Sequence, residues 1–215
     1  MKGEEILQAG LASCKHIRAA CILRRELEGS TVDILEAIKT RRAIRKYKTE
    51  VVPDDMIETI LDAGRFAPTG SNLQPWKFIV VRNPTTIDLI RKLSPGYFGA
   101  APQAIVICSD KVTAYEKGGT LGRDYITIAD CSMATENMLL AAHALGLGAC
   151  PMKSFATAAI KEVLQIPDGI EPELILIMGY PDEKPNPPPK YPLEQIVFLD
   201  KYGRVWPRSK GGQSS

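Results

Sequence analysis

The stretch that decides the architecture is "DYITIADCSMATENMLLAAHALGLGACPMKSF", Asp124 to Phe155. From Asp124 to Leu145 it is apolar or small around most of a helical circumference and rich in Ala, which predicts a central helix buried on most sides. Gly146 and Gly148 end that helix, and Pro151 follows within one turn. A loop leaving a buried central helix is a natural wall for a ligand. An ordinary helix-to-helix turn has the same composition, so the residues alone leave both readings open.

Working outward, the pattern predicts a helix from Ala156 to Leu164 and a strand over "ELILIMGY", Glu173 to Tyr180. The next segment, "PDEKPNPPPKYP", is too rich in proline for regular structure and reads as an extended arm. Beyond it "EQIVFL" reads as one more strand. An arm of about a dozen extended residues, at ~3 Å each, reaches more than ~30 Å. It can therefore lay an apolar strand on a partner's sheet, which suggests an intertwined homodimer. The alternative is an arm folded back on its own chain.

Towards the N-terminus, "KFIVVR" and "AIVICS" read as strands, with a helix from Thr85 to Leu93 between them. The segment from about Ser94 to Gly122, with Tyr97, Phe98 and Tyr115, reads as a lid loop. "PDDMIETILDAGRFAP" has helical spacing and stops at Pro68. Asp33 and Glu36 have the spacing of a capping box, and Ile34, Leu35 and Ile38 give the helix after Asp33 an apolar face. Three regions result: an extension over residues 1–30, a main domain over 31–205 whose arm covers about 181–200, and a polar tail over 206–215.

The totals exclude several classes. The 215 residues are 45% hydrophobic and 24% charged with a net charge of +2, as in an ordinary globular domain and unlike a strongly basic nucleic-acid binder. No apolar run reaches the roughly 18 residues of a membrane span. The first residues carry acids where a signal peptide carries bases, so a cytoplasmic protein is expected. The odd count of five cysteines is no disulfide framework, and with His16 and His143 alone beside them no protein-built metal site is expected.

Two stretches carry candidate chemistry. "RRAIRKYKTE" crowds Arg41, Arg42, Arg45, Lys46 and Lys48 at the end of the first helix of the main domain. Cations are favoured there by the helix dipole, and an anionic ligand would use the same residues. "APTGSNLQPW", Ala67 to Trp76, is a non-repetitive loop with short polar groups at Thr69, Ser71, Asn72 and Gln74.

Taken in order and spacing, "RRAIRKY", "APTGSNLQPWKF", "LAAHALGLGACPMKSF", "MGYP" and "PPPKYPLEQIVF" resemble the nitroreductase family over roughly Val32 to Leu199. The resemblance implies an α+β fold: an antiparallel sheet flanked by helices, paired as a homodimer with exchanged C-terminal arms and FMN at the subunit interface. It implies that Arg41 meets the FMN phosphate and that Arg42 and Ala43 also line the cofactor. It puts Arg45 near N1 and O2 of the isoalloxazine, where a cation stabilises the charge of reduced flavin. Pro68, Thr69 and Asn72 would contact the flavin of the other subunit. Pro151, Met152, Lys153 and Ser154 would form the loop over the flavin face, and Lys190 would lie near the phosphate. Four positions depart from the family pattern. Ala43 replaces a serine, Lys153 and Ser154 replace an acid and a small residue, and Lys190 replaces an arginine.

The function implied is hydride transfer from NADH or NADPH through FMN to a small electron-poor acceptor, a nitroaromatic or a quinone, in a ping-pong cycle. No side chain is needed as a nucleophile, so no catalytic residue is assigned. The alternatives are dehalogenation, enoate or azo reduction on the same fold, or a flavin-binding protein without turnover.

Overall fold

A computed structural model of the chain describes residues 33–97 and 99–207. The expected extension over residues 1–30, Phe98 of the lid, and residues 208–215 of the expected tail lie outside those residues. The chain divides into two units, one running through Pro185 and the other from Asn186 onward.

The first unit is built on a four-stranded sheet, β1 (Trp76–Val81), β2 (Gln103–Asp110), β3 (Gly148–Met152) and β4 (Ile170–Gly179), in the order β1-β2-β4-β3. Every neighbouring pair is antiparallel. β2 reads as an unbroken apolar run because both its faces are covered. Ala104, Val106 and Cys108 pack on one side with Ile87, Ile90, Ile160, Ile175 and Ile177. Ile105 and Ile107 pack on the other with Ile57, Ile60, Met138, Leu176 and Met178. Burying one such isoleucine contributes about 1.5–3 kcal/mol, so the two faces together hold the sheet.

Helices α1 (Ile34–Thr40), α2 (Asp54–Arg65), α3 (Pro84–Lys92), α4 (Lys111–Leu121), α5 (Thr127–Ala144) and α6 (Thr157–Leu164) surround this sheet. Asp33 caps α1 as expected, its Oδ1 accepting from the N–H groups of Leu35 and Glu36 at 2.9 and 3.2 Å. The expected apolar face of α1 stays exposed among the described residues: Ile34, Leu35 and Ile38 are 58%, 62% and 53% exposed. α5 is the central helix read from the sequence, with Ala134, Met138 and Ala142 fully buried.

Three expectations change. The segment after β2 is the helix α4, started by Asp110, which accepts from Thr113 N–H at 2.9 Å. It passes through a kink at Gly119 and one π turn (Gly122–Ile126) into α5. Of the segment expected as a lid loop, the part after β2 is thus helical, and irregular backbone remains before β2. Gly148–Met152, expected as loop, is the edge strand β3, because pairing with β4 supplies the hydrogen bonds that its glycine and proline would not favour alone. "EQIVFL" is not a strand: the second unit has a short helix, α7 (Leu193–Ile196), then a turn closed by a bridge between Phe198 and Val205. Among the described residues, no helix is long and apolar enough to cross a membrane.

Candidate functional site

After α1 the chain runs extended through the arginine cluster and is held on both sides. Ala43 bridges Ala149 of β3 in parallel, and Ile44 N–H donates to Ala149 O at 3.2 Å. On the other side Tyr47 bridges Pro181, Lys48 N–H donates to Tyr180 O at 2.9 Å, and Asp182 N–H donates to Lys46 O at 3.0 Å. Glu183 adds a clamp, its Oε1 accepting from the N–H groups of Arg45 and Lys46 at 2.5 and 3.1 Å. Two glycines let this segment lie so close. A Cβ on Gly148 would come within 2.7 Å of Ile44, and one on Gly99, at φ +76°, within 1.9 Å of Arg45 O.

The side chains diverge from that backbone. Arg41 is half-buried, its Nε sealed from solvent without a hydrogen-bond partner, and its ion pair with Glu136 is long at 3.6 Å. Arg42 takes the helix-end role instead, with Nη1 donating to Lys39 O and Arg41 O, both at 2.7 Å. Ala43 is half-buried, while Arg45, Lys46 and Lys48 are exposed. Burial pushes the Cys150 thiol up, and Arg45 and Arg41 pull it the other way, so both cations act on the middle of β3. His143, whose Nε2 lies 2.9 Å from Thr40 Oγ1, is held below its ordinary pKa by burial, then by Arg41 and Arg42.

At the end of β3, Pro151 is half-buried and Met152 buried. Lys153 reaches Glu173 Oε2 at 3.1 Å, and its ammonium lies 5.6 Å from the centre of the Phe155 ring. Ser154 O accepts from Gly96 N–H at 3.4 Å, which ties this loop to the residues preceding β2. Tyr97, in the segment expected as a lid, packs in its loop: it is 7% exposed and donates to Ala101 O at 3.0 Å. Tyr115 is exposed on α4 beneath the Arg123 guanidinium, 5.2 Å from the ring centre.

The loop bearing Pro68, Thr69 and Asn72 is fixed by a buried acid that the sequence reading missed. Asp130 of α5 accepts from Thr69 Oγ1 at 2.6 Å and from Gly70 N–H at 3.2 Å. Ser71, Asn72 and Gln74 all take positive φ, and Gln74 Nε2 donates to Asn72 Oδ1 at 2.9 Å. The arginine segment and this loop thus meet α5 at Glu136 and Asp130, about 9 Å apart along its axis. Lys190 belongs to the second unit, where it is exposed. The acids Asp130, Glu173 and Glu183 carry no local signal in the sequence; each finds its partners far along the chain.

An antiparallel sheet covered by helices on both faces, with a cationic segment laid on its edge strand, defines the structural class. The sequence model of the nitroreductase family matches residues 38–95 and 91–180, and the chain belongs to that family. A Methanothermobacter thermautotrophicus relative, provisionally named NADH dehydrogenase/NAD(P)H nitroreductase, is 40% identical over 166 residues, 73% of this chain and 82% of its own. The NADPH-flavin oxidoreductase of Vibrio harveyi is 25% identical over 181 residues, covering 78% of this chain and 74% of its own. Among solved structures, a nitroreductase family protein of Clostridium difficile superposes with a TM-score of 0.70 at 32% identity, over 79% of this chain and 99% of that one.

Proposed function

We propose that this protein is an FMN-dependent oxidoreductase that takes electrons from NADH or NADPH and passes them to a small electron-poor acceptor such as a nitroaromatic or a quinone. The observation that carries the reading is Arg41. Its Nε–H is sealed from solvent on a segment bridged to β3, and among the described residues its only acceptor is Glu136 Oε1, an ion-pair partner at 3.6 Å and beyond hydrogen-bond reach. A half-buried guanidinium so loosely paired favours binding a further anion, and a phosphate accepts from the guanidinium fork. The residues present therefore fit FMN.

FMN, when bound, supplies the two-electron chemistry. The protein binds, orients and shields. Arg41 would hold the phosphate, and the backbone of Arg42 and Ala43 would line the cofactor. Arg45 would supply positive charge that stabilises the anionic charge of the reduced cofactor. Pro151, Met152, Lys153 and Ser154 would line one face of the cofactor, where the main-chain N–H groups of the residues after Pro151 can serve as donors. No side chain serves as nucleophile, and protons come from water.

The active form in this reading is a homodimer, in which Pro68, Thr69 and Asn72 reach the flavin of the partner subunit. The apolar face of α1 supports it, as do Phe66 and Tyr125, 70% and 69% exposed. In the second unit Tyr191, Leu193 and Ile196 are exposed as well, as an arm that docks on a partner requires. FMN titration of wild type and Arg41→Ala tests the cofactor reading. A charge-assisted contact of about 1.5–3 kcal/mol predicts that the variant binds FMN roughly 10- to 100-fold more weakly. Unchanged affinity would contradict it.

A further inference from the structure

Glu173 is 5% exposed in the middle of β4, yet no step of the proposed reaction uses it. The pairing of β2 with β4 passes from Ile107 opposite Leu174 to Cys108 opposite Pro172, so Glu173 is the extra residue of a β-bulge. Bulges re-aim side chains, and Pro172, which has no N–H for the ladder, suits one. The carboxylate is surrounded by donors. Lys111 Nζ and Ser109 Oγ both reach Oε1 at 2.7 Å, and Lys153 Nζ reaches Oε2 at 3.1 Å. These contacts outweigh burial, and the carboxyl group stays below its usual range.

The two lysines are not equivalent. Lys111 is mostly buried and also donates to Arg123 O at 3.1 Å and to Thr127 Oγ1 at 2.7 Å. It and Ser109 give Glu173 a charged and a neutral donor on the inner side. Lys153 approaches the other oxygen from the loop after β3, with its side chain 55% exposed. The β3–β4 register ends with Met152 opposite Ile175, which brings the next residue, Lys153, alongside the bulge. Two ammonium groups on one carboxylate leave the cluster one positive charge in excess.

We propose that Glu173 is a positioning residue that fixes Lys153 as a cation at the Met152–Ser154 loop, and that this cation raises the reduction potential of the flavin bound there. The proposal rests on the FMN reading above. Free in solvent, the Lys153 side chain would sample many rotamers and its charge would be screened. Pinned by a buried counter-ion, it acts from one place on charge gained by the ring when it is reduced.

The test is a double-mutant cycle on the FMN-loaded protein, reading the flavin potential by equilibration with a reference dye and the oxidised-FMN Kd by titration. Lys153→Gln is expected to lower the ratio of affinities for reduced and oxidised flavin about tenfold, a potential fall of about 30 mV for a two-electron couple. Lys153→Arg is expected to keep the wild-type potential. In a Glu173→Gln background, where Lys153 is no longer pinned, adding Lys153→Gln should change the ratio less than threefold. A Lys153→Gln potential equal to wild type overturns the proposal, and an effect equally large in both backgrounds overturns the role of Glu173. A wild-type chain that takes up no FMN overturns the cofactor reading and this proposal with it, which separates the two failures.

Discussion

His143 lies where the ends of α1 and α5 meet, 2.9 Å from Thr40 Oγ1 and under the influence of Arg41 and Arg42. Burial and the two arginines lower its pKa in the folded chain. The unfolded chain therefore binds the proton more readily, and stability is complete above about pH 6.5, the ordinary histidine value. It is lost as pH falls below that value towards the folded pKa. Thermal unfolding followed between pH 8 and 5.5 should show Tm falling in the acidic half. His143→Gln, which keeps a polar partner for Thr40, should flatten that fall. An equally steep fall in the variant would assign the acid sensitivity to other groups. Phosphate bound at Arg41 would add negative charge beside the imidazole, so FMN should reduce the pH dependence.

The element that bears most directly on the homodimer reading is α1. The sequence predicts its apolar face, and among the described residues that face stays exposed at Ile34, Leu35 and Ile38. In the homodimer reading a second copy covers it. Replacing Leu35 and Ile38 together by Glu should shift the protein from dimer to monomer in sedimentation velocity and weaken FMN binding. A wild-type monomer, or a variant that stays dimeric, would contradict that use of the face. Elements were legible in the sequence where one period dominates. The helical spacing of α2 and α5 and the apolar run of β2 are examples, since their neighbours are fixed by burial alone. β3 was not legible, because Gly148 and Pro151 have poor strand propensity and only its tertiary partners make it a strand. α4 was hidden by Gly118 and Gly119, which read as loop, although Asp110 caps the helix. In the site, "RRAIRKY" gave the cationic segment, but its clamp, Glu183, lies 138 positions from Arg45. Asp130 and Glu173 were invisible for the same reason. A lone acid announces nothing until the fold supplies its donors.

At the scale of the molecule, the sheet works as a frame with one working edge. β2 and β4 are sealed in the core, and β3 carries the arginine segment on one side and the Lys153 loop at its end. The family match ends at residue 180, the residue whose carbonyl accepts from Lys48, so the matched span includes the frame and most of the candidate cofactor contacts. A net charge of only +2 gives no broad field for a polyanion, which is consistent with the proposal that the arginine segment binds a small anion. The central claim is that this frame holds FMN and exchanges electrons with a nicotinamide nucleotide. The most direct measurement is anaerobic: load the full chain with FMN, add NADH or NADPH, and follow the flavin absorbance. The account predicts rapid bleaching with at least one nucleotide and recovery of the yellow colour on adding a quinone or nitroaromatic. Bound flavin that stays yellow with both nucleotides would contradict it.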